Sequence, residues 1–180
     1  AFDYHLHNWG PDPMPYIWAA HPQFACGNAA QIVLPPHIRQ VCNVLPPAWG
    51  WGEPQAVYGW PAAGGETGAP RQIDRTGPPS LRRAAKFYVL PTERADWAAV
   101  VRQSRGDTLR LAWDTTSVPY FGLWIDEGAL HHQSVAAPEP ATGFYDSLAL
   151  AWEKGQVLTL EPEADTAWTL TVQVEPGPTA

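Results

Sequence analysis

The chain has 180 residues, 45% of them hydrophobic, with 10 Trp and 20 Pro. Its 11 basic and 18 acidic residues leave a net charge of −7, which argues against a phosphate-backbone ligand, because nucleic-acid binders need a basic surface. No apolar run approaches the ~20 residues a membrane helix needs, and the start carries no signal-peptide pattern, so the reading is a soluble, cytoplasmic protein without a nucleic-acid or membrane partner.

The length suggests one domain over 1–180, long enough to bury ~70% of its unfolded surface without staples. Two cysteines, Cys26 and Cys42, make no disulfide framework; one bridge, or two reduced thiols in a cytoplasmic protein, both fit. The first segment, AFDYHLHNWG, lacks an initiator Met and alternates like a strand already in progress. It predicts Phe2, Tyr4 and Leu6 on one face and Asp3, His5 and His7 on the other, in a chain that opens within a sheet and lacks part of a longer protein.

Sustained helical periodicity is nearly absent, and the prolines leave few windows for a helix. The stretch from about 46 to 80 is rich in Pro, Gly and Trp and shows neither strand nor helix pattern. A loop that long is functional or disordered, and its aromatics argue against plain disorder. AKFYVL (85–90), DWAAVVRQ (96–103) and PYFGLWID (119–126) read as strands. DTLRLAWD (107–114) alternates, with Leu109, Leu111 and Trp113 inward, and SRGD (104–107) makes the hairpin turn before it. One short helix is expected over 147–154, capped by Asp146 and ended by Gly155. QVLTLEP and AWTLTVQVEP close the chain as strands, with Trp168, Leu170, Val172 and Val174 sharing a face. The class is all-β, mostly antiparallel: a sandwich of many strands with one long aromatic loop.

The segment SVAAPEPATG (134–143) holds one carboxylate, Glu139, between two prolines. Pro138 fixes its own φ, and Pro140 pushes Glu139 into an extended conformation. Neither proline donates to a ladder, so the segment is expected to be stiff, extended and poorly laddered. A rigidly aimed carboxylate among apolar neighbours is suited to proton abstraction, because desolvation strengthens a carboxylate base; a solvated loop glutamate is the plainer reading. His21, in PYIWAAHPQF (15–24), is either a hydrogen-bonded core histidine or the group that exchanges a proton near neutrality. His5 with His7, and His131 with His132, match no metal-site spacing, and none is expected. Trp49, Trp51, Trp60 and Trp124 lie in or beside loops; flat aromatic faces suit sugar rings, and equally fill a sandwich core.

PYIWAAHPQF, VPYFGLWIDEG (118–128), APEPATGFYDSLALAW (137–152) and the closing LTL…WTLTVQV pair together resemble the galactose mutarotase-like family, the aldose 1-epimerases and their relatives. The resemblance covers most of the chain but only the later two-thirds or so of a usual member. It implies a partial β-supersandwich, no cofactor, a monosaccharide or sugar-derivative substrate, and interconversion of anomers. By motif, it implies Glu139 as general base and His21 as general acid. Members of the family carry an Asp-His pair at the strand that here begins Ala85-Lys86; a lysine there suits an anionic sugar, or is a surface lysine with a snorkelling head. Lys86 and Trp124 are the expected substrate contacts. Two other readings accompany this one: a non-catalytic carbohydrate-binding module, and a glycosidase or lyase drawing a second carboxylate from Asp126, Glu127 or Asp146.

Overall fold

The computed structural model describes residues 1–27, 29–65 and 68–176. Strands dominate it: β1 (Phe2–His7), β2 (Met14–Tyr16), β3 (Phe24–Ala25), β4 (Ala30–Val33), β5 (Gln40–Asn43), β6 (Val57–Gly59), β7 (Ala62–Gly65), β8 (Gly68–Gln72), β9 (Arg75–Thr76), β10 (Arg83–Val89), β11 (Trp97–Arg102), β12 (Asp107–Trp113), β13 (Tyr120–Glu127), β14 (Ser134–Ala141), β15 (Leu158–Leu160) and β16 (Asp165–Pro176). One sheet runs β1-β16-β12-β11-β4-β9 and a second β3-β14-β13-β10-β5-β6. The paired strands are antiparallel. No described helix is long and apolar enough to cross a membrane.

The two sheets close on one apolar core. Ile32, Val100, Leu109, Leu111 and Leu170 from the first meet Phe87, Val89, Phe121, Leu123 and Ile125 from the second. Trp113 and Phe121 stack across the gap with ring centres 5.4 Å apart. The alternation of β12 therefore puts its inward set where expected, at the core. The hairpin before it turns at Gly106, whose φ is +66°. Arg102 closes the hairpin with two hydrogen bonds to Asp107, 2.6 and 2.7 Å.

Several sequence expectations need correction. Phe2, expected on one face with Tyr4 and Leu6, is 56% exposed while those two are half-buried, because β1 is an edge strand that pairs with β16 on one side. Val174 is likewise exposed, where β16 runs on to the rim. The stretch 46–80 is not structureless: it contains β6 to β9 and 3-10 turns at Pro47–Trp49 and Pro79–Leu81, although residues 66 and 67 lie outside the described residues. The short helix α1 spans Leu148–Glu153, but Ser147 caps it, accepting from the Leu150 N–H at 3.3 Å. Gly155 follows with φ +64°, the left-handed residue that ends a helix.

The largest correction concerns the two prolines. β14 is buried from end to end and is laddered to β13 along its whole length, Ser134 opposite Glu127 and Ala141 opposite Tyr120. The carbonyls of Ser134 and Pro140 accept from Cys26 and Ala20, on the side away from β13. Backbone N–H and C=O of one strand residue point the same way, so both proline nitrogens face that side, where pairing is short. The missing donors thus remove no bond to β13, as proline in a sheet requires.

Candidate active site

The outer face of the second sheet, away from the core, carries the candidate site. Side chains opposite one another in an antiparallel pair share a face. The register Lys86–Trp124–Ala137 and Tyr88–Gly122–Glu139 therefore puts Lys86, Tyr88, Trp124 and Glu139 on one surface. Phe87, Leu123 and Pro138 take the opposite one. Gly122 makes room in the middle: a Cβ there would lie 3.2–3.4 Å from three atoms of the Tyr88 ring.

His21 reaches this surface through a short stitch. The Ala20 N–H donates to Pro140 O (3.1 Å), the Thr142 N–H to Trp18 O (2.8 Å), and the Trp18 N–H to Thr142 Oγ1 (2.7 Å). Residues 18–20 are thereby laid along the end of β14, and His21 Nδ1 comes 2.7 Å from Glu139 Oε1. Gln23 Nε2 lies 2.9 Å from His21 Nε2; its amide N–H donates there, so the proton of the neutral ring sits on Nδ1, facing the carboxylate. The approach is off the direction a ring N–H points, and Oε1 accepts no well-directed hydrogen bond although it is buried.

Glu139 is only 3% exposed. Its other oxygen, Oε2, is ion-paired with Lys86 Nζ. Lys86 is 5% exposed and lies 3.5 Å from Asp146 Oδ1, which also accepts from the Tyr88 hydroxyl at 2.8 Å. Burial, with Asp146 beside it, pushes the Tyr88 phenol far above its ordinary range, so it serves as a donor and not as a base. Tyr145 makes the turn that returns Asp146 to this network. It holds a φ of +84°, a costly conformation for a non-glycine residue. Its ring stacks on Tyr88, and its hydroxyl donates to Asn43 O at 3.2 Å.

These groups open on a hollow of about 270 Å³ lined by His21, Gln23, Lys86, Trp124, His131 and Asp146, with Leu45 and Leu130 on its walls. That is near the small end of ligand pockets, which span roughly 300–1,000 Å³. Asp126, on the same face, is fully buried and accepts from the N–H groups of Ala129, Leu130 and His131 (2.7, 3.2 and 2.9 Å). Its carboxylate shapes the loop that carries Leu130 and His131 to the rim.

All four sequence-designated residues, Glu139, His21, Lys86 and Trp124, thus gather in one place. Lys86 is neither a surface lysine nor an unpaired cation, since two carboxylates already neutralise it. Three of the four singled-out tryptophans go elsewhere. Trp51 is 6% exposed, edge-on to Phe87 at 4.9 Å, and donates to Ala84 O; Trp49 and Trp60 pack against the same core. Glu127 points away and pairs with Arg83. His5 and His7 gather on Asp165 at 2.8 and 3.0 Å, at the β1 edge of the first sheet. Among the described residues no cluster has the donor set of a metal site. Tyr88 went unrecognised, and Asp146, expected as the helix cap or as a glycosidase's second carboxylate, instead accepts from Tyr88 and lies beside Lys86. The doublet Asp146-Ser147 ahead of a helix was the available signal: one of the two suffices as cap, which releases the other.

No family model matches the chain, and no curated protein does. Solved structures match its fold. A candidate aldose 1-epimerase from Klebsiella pneumoniae is 18% identical, with a TM-score of 0.66 over 97% of this chain and 42% of its own. One from Escherichia coli K12 is 13% identical, with a TM-score of 0.66 over 97% of this chain and 55% of its own. A galactose mutarotase-like protein from Lactobacillus casei is 16% identical, with a TM-score of 0.63 over 96% and 58%. The fold is that of the galactose mutarotase-like sandwiches, and the chain spans about half the length of the structures it matches.

Proposed function

We propose that this galactose mutarotase-like sandwich is an aldose 1-epimerase-like isomerase, acting in the cytoplasm on a monosaccharide or sugar derivative. One observation carries the reading: a buried carboxylate oxygen without a well-directed donor, Glu139 Oε1, faces an imidazole nitrogen at 2.7 Å beside a small open hollow. Two buried thiols that form no disulfide fit a reducing compartment.

In the proposed reaction Glu139 Oε1 takes the proton of the anomeric hydroxyl while His21 gives one to the ring oxygen. The C1–O bond of the ring breaks and an open-chain aldehyde forms. Rotation about C1–C2 and re-addition of the hydroxyl to the other face, with both protons returned, yields the other anomer. The acid and base touch in the absence of sugar, so a substrate must part them. Glu139 is buried and tied to Lys86; His21 sits on a loop with its side chain 47% exposed. His21 is the partner that yields. Trp124 supplies a flat wall for the apolar face of the ring.

Polarimetry of a freshly dissolved pure anomer tests the reading. The wild-type chain speeds equilibration, and Glu139→Gln lowers the rate by roughly 10²-fold or more. Equal rates for the two proteins would remove Glu139 from the chemistry.

A second reading has its own support. Both carboxylate oxygens already have close neighbours, Lys86 and His21, as in a structural polar cluster beneath a carbohydrate-binding surface. Sugar affinity that survives Glu139→Gln, together with no rate acceleration by the wild type, is what a binding module would show.

A further inference from the structure

Resting on the same site as the proposed isomerase, the charges and acceptors around the hollow select among sugars. We propose that it takes an amino sugar, its ammonium paired with Asp146 and a ring hydroxyl donating to Glu139 Oε1, and that it rejects anionic sugars.

The ionisable groups lining the hollow are Lys86 from β10, Asp146 from the turn before α1, His21 from the loop before β3 and His131 from the loop after β13, with Glu139 of β14 buried directly behind Lys86 and His21. With neutral imidazoles, two carboxylates stand against one ammonium, so one negative charge is in excess. Lys154, which caps the end of α1, is turned to Gln55 Oε1 at 2.7 Å. Among the described residues lining the hollow, Lys86 is the one lysine or arginine, so no free cation is left for a phosphate, sulfonate or uronate, and the chain's net charge of −7 adds to the repulsion.

The unused hydrogen-bonding capacity points the same way. Glu139 Oε1 is buried and accepts nothing well directed. Asp146 receives both Tyr88 and Lys86 through Oδ1. Its Oδ2 carries no hydrogen bond among the described residues, and its side chain is 46% exposed at the rim. A buried acceptor and a rim carboxylate oxygen call for a ligand rich in donors, with a positive charge on the side that meets Asp146. Gly122 and the Tyr88 ring fix where that carboxylate sits, because the phenol that holds Asp146 lies against the glycine.

The test compares D-glucosamine, D-glucose and D-glucuronate, by titration calorimetry and by anomer exchange in NMR, at a pH where the amine is protonated. Glucosamine differs from glucose at one position, where an ammonium with three N–H donors replaces a hydroxyl, and the salt dependence and Asp146→Asn separate the charge from the added donors. A half-exposed ion pair predicts that glucosamine binds about five-fold tighter than glucose, and glucuronate weaker than both. Asp146→Asn, which keeps an oxygen for Tyr88, brings glucosamine to within about two-fold of glucose. Raised salt narrows the glucosamine advantage in the wild type, a check independent of any variant. Glucuronate binding as well as glucosamine, or a preference unchanged in Asp146→Asn, overturns the charge assignment, even if anomers are still interconverted. The predicted order of affinities without rate acceleration supports the assignment and sinks the isomerase. Absence of binding by all three sugars overturns both.

Discussion

Lys86→Met removes the one lysine or arginine that, among the described residues, contacts Glu139, a carboxylate that solvent barely reaches. Methionine keeps the length and much of the volume of lysine, so the loss is mainly electrostatic. Breaking a buried ion pair by deleting one partner costs about 3–5 kcal/mol, since the remaining charge stays buried without compensation. Lys86 and Glu139, at 5% and 3% exposure, meet that condition. Asp146 does not, because its half-exposed carboxylate recovers solvation from water, and its share is discounted to near zero. At a urea slope of about 2 kcal/mol per molar, the midpoint falls by roughly 1.5–2.5 M. Glu139→Gln costs less, because Lys86 keeps Asp146 and gains the amide oxygen. The double variant Lys86→Met/Glu139→Gln buries no charge in this pair, and its total loss stays near ~2 kcal/mol, below the sum of the single losses. Equilibrium urea denaturation of the four proteins is the assay. A Lys86→Met loss under about 1 kcal/mol, or strictly additive losses, would refute a dry, intact pair.

Two further outcomes follow from the packing of the same face. Gly122→Ala presses a methyl group against a Tyr88 ring that is 1% exposed and held at its hydroxyl by Asp146. It should cost about 1–3 kcal/mol by overpacking, and a variant as stable as wild type in thermal or urea unfolding would contradict the close approach. Burial pushes the thiols of Cys26 and Cys42 up to about 11. The reactive thiolate is therefore scarce in the native protein below that pH and grows only as pH rises toward it. Native protein should resist a thiol-reactive dye at pH 8, while protein in urea labels at both positions; rapid native labelling would show that these side chains are not sealed.

Local patterns settled much of the architecture. Strict alternation in 107–113 identified β12 and its inward set, because one face of that strand meets the core and the other does not. Asp146 and Gly155 bracketed the helix to within a residue at each end, although Ser147 and not Asp146 is its cap. The prolines around Glu139 announced a stiff, extended segment, and the order of motifs, with its family resemblance, put forward Glu139, His21, Lys86 and Trp124, which lie near one another in the fold. Other features had no local signature. β10, β13 and β14 are buried on both faces, so alternation could not separate the side that packs the core from the side that holds the site. Trp51 and Trp124 look alike in sequence; only the assembled sheets send one into the core and the other to the hollow. Whether a proline breaks a ladder depends on which neighbour its nitrogen faces, a property of sheet order. The pairing of Lys86 with Glu139, 53 residues away, and the delivery of His21 to that carboxylate come from strand register and a three-residue stitch. A chain can encode the chemistry of each side chain locally, but charges that compensate one another are chosen by the fold that brings them within reach.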